Sequence, residues 1–285
     1  PNVPEVSIEE MEVGAKIGQG TFSDVYEATL PVTGKVVFKE PRFDESKDVL
    51  LNEAAAMWEV RQCDRVVQLL KVCTGKRMGL VMEFMEGGTL SQRLKQQPAL
   101  SKRQTMELWR DVLTGVAAIH ESGQMHLDLK SDNVLLDGKG RAKVGDFGTC
   151  KQQRQTMRAT RVVGTLRWLA PEVLEGSAQL TTACDVWSLG MVLYEMVTGH
   201  EPYKELEETQ VVRAIMEGKL PASPAQGDGV AQLMEWIQQC CVRDPTKRPT
   251  AKALLGLVNR ALTRECAVCL TEFAIERGVM CSSEQ

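Results

Sequence analysis

Apolar and polar positions alternate over three short stretches near the start of the chain: Glu12 to Lys16, Asp24 to Leu30 and Lys35 to Glu40. Glycine-bearing turns separate them, so the pattern predicts antiparallel strands. The period then changes. From Val49 to Val60 the residues Leu50, Glu53, Met57 and Val60 recur at spacings of three and four, which places them on one face of a helix. Val66 to Val72 and Met78 to Phe84 return to strand character, and Glu86-Gly87-Gly88 marks a switch from strand to helix.

Longer helices dominate the rest. Ser101 to Glu121 reads as an amphipathic helix with Trp109, Val112, Leu113, Val116 and Ile119 inward, Ser101 as its cap and Gly123 beyond its end. Val134-Leu135-Leu136 reads as a short buried strand. Val186 to Tyr194 carries no charge and is apolar nearly all round, as expected of a helix buried on every side, with Asp185 placed to cap it and to brace a neighbouring loop. Thr250 is expected to cap a last helix running to about Thr263. Between these elements, Asp146 to Glu172 is 27 residues with little periodicity, a length that usually means function or mobility.

Composition narrows the class. A chain of 285 residues with 43% hydrophobic content can bury one large core or two lobes. The net charge of −4 supplies no basic field for nucleic acid, and no run of 18 or more apolar residues suggests a membrane span. Nine cysteines at irregular spacing fit reduced thiols in a cytoplasmic protein better than a disulfide framework. The chain opens on Pro1 rather than a methionine, the mark expected of a fragment. Oligomeric state is unknown from the pattern.

Two lone charges stand out. Lys39 ends the apolar triplet Val36-Val37-Phe38, and Glu53 is the single charge on its helical stripe. A carboxylate facing an apolar core is costly unless paired, and Lys39 is its natural partner. The densest chemistry lies in His126-Leu127-Asp128-Leu129-Lys130-Ser131-Asp132-Asn133. There a carboxylate can accept a hydroxyl proton, an ammonium can steady a phosphoryl oxygen and an amide oxygen can hold a magnesium ion. Gly145-Asp146-Phe147-Gly148 follows with a second carboxylate between glycines.

In this order and spacing, these motifs resemble the catalytic and metal loops of the protein kinases. Ile17-Gly18-Gln19-Gly20-Thr21-Phe22-Ser23-Asp24-Val25 resembles the glycine-rich phosphate loop, with Ser23 where a third glycine is usual. Gly164-Thr165-Leu166-Arg167-Trp168-Leu169-Ala170-Pro171-Glu172 resembles the end of a kinase activation segment, in wording close to the tyrosine-kinase-like group of serine/threonine kinases. Arg243 to Pro249 resembles the segment whose arginine, here Arg248, pairs with the glutamate at Glu172.

The resemblance implies an α+β fold with two lobes over 12–263: a small antiparallel β lobe with one main helix over about 12–84, and a larger, mostly helical lobe over about 86–263. It implies a serine/threonine protein kinase acting on a protein substrate, with ATP and Mg2+ as cofactors. ATP would lie under Ile17, Gly18, Gln19, Gly20, Thr21, Phe22, Ser23 and Val25, clamped by Lys39 and its partner Glu53. Glu83 and Met85 would meet the adenine, and Met82 would gate the back of its pocket. Asp128 would act as base beside Lys130, and Asn133 and Asp146 would hold magnesium. His126 would be structural, and His120 is given no chemistry. Leucine at Leu127 departs from the arginine usual in the family, which answers an activation-segment phosphate. Phosphate at Thr156 or Thr160 is therefore expected to be dispensable, with Lys151 or Arg161 as the alternative partners for one, while Thr165 would contact Asp128 as a structural residue.

The tail, 264–285, lies outside this pattern. Cys266-Ala267-Val268-Cys269, followed by Cys281, looks like the opening of a RING-like zinc module, with three of the four ligands a closed site needs. On its own it is expected to be disordered or loosely docked. The alternative function is a pseudokinase or allosteric scaffold attached to a ubiquitin-ligase module. Such a protein would normally have lost Lys39, Asp128 or Asp146, and all three are present.

Overall fold

The computed structural model describes residues 3–96, 99–152, 166–177, 179–222 and 230–276, with side chains described outside 151–152 and 266–276. Thr156, Thr160, Arg161, Gly164, Thr165 and Cys281 lie outside the described residues.

The first lobe is one six-stranded sheet with a helix against it. Its elements are β1 (Glu5–Ser7), β2 (Glu12–Gln19), β3 (Ser23–Leu30), β4 (Gly34–Pro41), α1 (Lys47–Glu59), β5 (Leu69–Thr74) and β6 (Gly79–Glu83). The strand order is β1-β5-β6-β4-β3-β2, antiparallel except where β1 runs parallel to β5. The three predicted early strands are present and longer than the alternation indicated. The strand expected from Val66 begins at Leu69, and Val66 makes only an isolated bridge to Val144. β1 lies ahead of the expected boundary at residue 12. It is held because Val6 and Met11 are buried in a cluster with Val36, Phe38 and Val81.

The second lobe carries α2 (Leu90–Lys95), α3 (Lys102–Glu121), β7 (Gln124–Met125), β8 (Val134–Leu136), β9 (Ala142–Val144), β10 (Lys151–Gln152), α4 (Pro171–Leu174), α5 (Ala183–Thr198), α6 (Glu208–Met216), α7 (Ala231–Cys240) and α8 (Ala251–Glu276). Ser101 caps α3 by accepting from the Gln104 amide, and Gln104 returns a bond to Ser101 N, a reciprocal pair that satisfies two helix-end donors. All five side chains predicted to face inward on α3 are fully buried. Trp109 stacks on Trp236 of α7 at 5.4 Å between ring centroids.

Two expectations about helix ends change. α5 starts at Ala183, so Asp185 lies in its first turn and does not cap it. Thr250 does support the start of the last helix, its hydroxyl accepting from Ala253 N. That helix does not stop near Thr263. Its backbone continues to Glu276, so Cys266 and Cys269 fall three residues apart within a helix. Among the described residues no helix is long and apolar enough to cross a membrane.

The lobes join at Glu83–Thr89. Gly87 N donates to Leu136 O and Leu136 N to Gly88 O, so the connection is stitched to β8. A β-carbon on Gly87 would come within 2.8 Å of the Leu136 side chain, which explains glycine there.

Candidate active site

Lys39 emerges from β4 and is almost completely buried. Its Nζ donates to Glu53 Oε1 of α1 at 2.7 Å and to Asp146 Oδ1 at 3.0 Å. Burial by itself would depress the ammonium, but the Glu53 and Asp146 carboxylates outweigh it and hold the Lys39 pKa above its usual value. Glu53 is pushed up by burial, against the pull of Lys39. Asp146 is held down at about 2 by Lys39, with burial opposing. Lys39 and Asp146 therefore keep their charges across the physiological range.

The 126–133 loop folds on its own side chains. Asp128 Oδ2 accepts from Lys130 Nζ and from Asn133 Nδ2, each at 2.9 Å. Asn133 Nδ2 also donates to the Asp128 carbonyl at 2.7 Å. With its amide nitrogen used in this way, Asn133 keeps its carbonyl oxygen as a ligand. His126 is structural, as expected: its Nε2 lies 2.9 Å from Gly145 O, and its ring packs edge-on to Phe147 at 5.6 Å. Gly145 N donates to Asn133 O at 2.8 Å. The Asp128 loop and the Asp146 loop are thus tied together at both ends.

Asp185 anchors the loop from beneath. Its Oδ2 accepts from His126 N and His120 Nε2, and its Oδ1 from Leu127 N, all at 2.8 Å. Burial pushes the Asp185 carboxyl up, yet these bonds, led by His120, leave it below its usual value. His120 therefore has a structural partner. Leu127 and Asp146 both take positive φ, 66° and 56°, costly for residues with a β-carbon.

The glycine-rich turn lies between β2 and β3. Gly18 is in register with Val25, Gly20 N donates to Ser23 O at 2.8 Å, and Ile17 and Phe22 are half exposed. Ser23, the departure from the glycine pattern, is buried and already in the β3 ladder opposite Pro41. Its side chain is accommodated in a strand and not at the loop tip.

One assignment shifts. Glu83 accepts from Lys143 Nζ at 2.7 and 2.8 Å and from Gln68 N at 2.8 Å. Its carboxylate is spent on a link from β6 to β9, so only its main chain remains for an adenine. Met85 is buried at the connection, and its carbonyl accepts from Gly88 N. Lys143 was missed in the sequence although Ala142-Lys143-Val144 repeats the Lys39 signal, a lone cation in an apolar strand. Glu195 was also missed, and it is the only carboxylate besides Asp185 on α5.

Glu172 and Arg248 meet as expected, at 2.6 and 2.9 Å in a two-pronged pair. Among the described residues no group of three or more His, Cys, Asp or Glu side chains could hold a metal ion. The Asp146 carboxylate and Asn133 amide oxygen are hard donors that suit magnesium shared with phosphate oxygens, since that ion is commonly held by few protein ligands.

The family model for the protein kinase domain matches residues 11–257. Serine/threonine-protein kinase PAK 5 of Rattus norvegicus is 32% identical over 245 residues, covering 85% of this chain and 34% of its own length. Serine/threonine-protein kinase STE20 of Candida glabrata is 33% identical over 251 residues, 84% of this chain and 26% of that protein. Serine/threonine-protein kinase STY46 of Arabidopsis thaliana is 32% identical over 254 residues, 87% and 44%. The chain thus spans between about a quarter and a half of these relatives' lengths. The PAK and STE20 relatives belong to the STE group, so the motif wording that resembles the tyrosine-kinase-like group does not fix the subgroup. Motif order, lobe architecture and the match over 11–257 agree, and the chain belongs to the protein kinase domain family.

Proposed function

We propose that this domain is a serine/threonine protein kinase, moving the γ-phosphoryl group of ATP to a hydroxyl of a protein substrate. The observation that carries the reading is the joint geometry of two clusters: Lys39 between Glu53 and Asp146, and Asp128 between Lys130 and Asn133. In this reading the turn Ile17–Val25 covers the phosphates through main-chain amides, and Lys39 steadies phosphate oxygens. Glu53 orients Lys39, and the main chain at Glu83 and Met85 meets the adenine. Asn133 and Asp146 hold magnesium, which when bound neutralises charge on the phosphates. Asp128 orients the acceptor hydroxyl and takes its proton, while Lys130 stabilises the transferred group. Most of the rate gain in such a site comes from positioning and electrostatics. The six described cysteines are free thiols, which supports a reducing, cytoplasmic setting.

The test is Asp128→Asn in a phosphate-incorporation assay with ATP and magnesium. The variant should keep its fold and ATP affinity and lose about a hundredfold or more in turnover. A variant as active as the parent would refute the assignment of Asp128. A parent that binds ATP but transfers no phosphate to any protein would favour the scaffold reading.

A further inference from the structure

We propose that Arg42, just past the end of β4, is a positioning residue for the nucleotide, a latch that aims main-chain amides of the glycine-rich turn at the phosphates of ATP. This rests on the kinase reading above and deepens it at the same site. Arg42 meets the turn three times. Its N donates to Phe22 O at 3.0 Å, its Nη1 donates to Gly20 O at 3.4 Å, and its Nε lies 3.6 Å from Asp24 Oδ1.

Packing does not hold the tip of this turn. Phe22 is 50% exposed, and Gly20 and Thr21 are exposed as well. Within the turn, Gly20 N donates to Ser23 O at 2.8 Å, which closes it but does not fix how it sits over the cleft. The β3–β4 ladder runs as far as Ser23 opposite Pro41. The Arg42 amide carries that ladder one step further, to Phe22, and the guanidinium reaches on to Gly20.

The consequence follows from the trans peptide unit, in which C=O and N–H point opposite ways. With Gly20 O turned towards Arg42, the Thr21 N–H points away from it. With Phe22 O turned towards Arg42, the Ser23 N–H does the same. Arg42 thus gathers two carbonyls on one side and leaves two amides facing the other. Phosphate oxygens are held by such amides and repelled by carbonyl oxygens. Glycine makes rotation of the Gly20–Thr21 peptide cheap, and rotation would put an oxygen where the amide belongs. The latch decides which way these peptides face.

Charge ties the latch to the sheet. Asp24 Oδ1 lies 2.9 Å from Lys16 Nζ of β2 as well as near Arg42, so β2, β3 and the end of β4 share one carboxylate. All three side chains are part exposed, and such pairs add little to the stability of a fold. Their effect here is directional. A planar guanidinium can address a carbonyl and a carboxylate together, whereas an ammonium is a compact point charge. Arg42 also follows Lys39 by three residues, and Lys39 pairs with Val25 in the same ladder. One stretch of chain therefore carries both the ammonium that steadies phosphate oxygens and the side chain that aims the amides.

The experiment compares the parent, Arg42→Ala and Arg42→Lys in steady-state phosphorylation of a generic basic protein, with adenosine as a competitor of ATP. Adenosine has the base and ribose but no phosphate, so it reports on the rest of the cleft without the amides. Arg42→Ala should lower kcat/KM for ATP by about tenfold, the scale of misaligned charge-assisted bonds to phosphate. Its inhibition constant for adenosine should stay within about twofold of the parent's, and its unfolding temperature should be nearly unchanged, because the ion pair is part exposed. Arg42→Lys keeps the charge near the phosphates but not the fork, and it should recover little of the loss. An Arg42→Lys protein as active as the parent would reduce Arg42 to a diffuse charge. Equal losses towards ATP and adenosine would reduce it to a structural support. Either result, or parent kinetics in Arg42→Ala, would overturn the proposal and leave the kinase reading intact. A parent without transferase activity would overturn both.

Discussion

Arg248 offers a sharp test of how far burial controls the energetics of this fold. Its side chain is fully buried and its five donor N–H groups meet five acceptor contacts. Nε donates to Val242 O, Nη1 to Glu172 and Ala183 O, and Nη2 to Glu172 and Arg243 O, while the guanidinium lies 5.2 Å from the Trp187 ring. Glu172→Ala removes both anionic acceptors and strands a buried cation, a change worth about 3–5 kcal/mol. A few residues away Arg243 and Glu175 pair at 2.9 Å with side chains 57% and 43% exposed, so Glu175→Ala should cost at most about 1 kcal/mol. The assay is equilibrium urea unfolding followed by tryptophan fluorescence, with m held common to the variants. At roughly 2–3 kcal/mol/M the Glu172→Ala midpoint should fall by about 1–2 M and the Glu175→Ala midpoint by less than about 0.5 M. Glu172→Gln, which keeps an acceptor but loses the charge, should lie between. Equal shifts for Glu172→Ala and Glu175→Ala would refute the reasoning, because the two pairs differ chiefly in burial.

Asp146 carries a depressed pKa, so its contribution to stability is present above its ordinary value of 3.8 and is lost as pH falls towards about 2. The stability gap between parent and Asp146→Asn should hold at neutral pH and close across that window in acid unfolding; a gap independent of pH would remove the Lys39–Asp146 contribution. Leu127 has no charge with which to answer a phosphate, so the Thr156→Ala, Thr160→Ala double variant should keep its activity within about tenfold, roughly 1.4 kcal/mol of barrier. A larger loss in the same transfer assay would show that segment phosphorylation is required.

What was legible in the sequence was mostly a charge in the wrong company. Lys39 at the end of an apolar strand and Glu53 on an apolar helical stripe predicted each other, and they meet at 2.7 Å. The same rule would have found Lys143 and Glu83, but Glu83 was already assigned to the nucleotide. A sequence pattern does not separate a residue's main chain from its side chain, and the carboxylate turned the other way, towards β9. Asp185 was read as a brace correctly and as a cap wrongly, because Ala183 and Cys184 extend the helix ahead of it. β1 has three residues, too few for a period. The last helix was expected to run to about Thr263, yet Arg264 to Glu276 continues the helical backbone without a glycine or proline to stop it.

The shape of the 126–133 loop traces to one stripe of α5. Asp185, Ser188 and Glu195 are three and seven residues apart, spacings that bring them within one face of a helix otherwise buried in apolar contacts. Each reaches a partner outside the helix: Asp185 the amides of His126 and Leu127, Ser188 the Trp168 carbonyl, Glu195 the side chains of Ser131 and Trp168. A positive φ at Leu127 costs about 1–2 kcal/mol in isolation, and the Asp185 bond to its amide, worth about 1.5–3 kcal/mol as a charged hydrogen bond, is enough to offset it. That bond is to the main chain. The conformation that presents Asp128 is therefore imposed from the buried helix below, whatever side chain stands at 127. An arginine there would add a response to a distant phosphate without being needed for the loop's shape, which is the physical basis for expecting activity in a domain whose residue 127 is leucine.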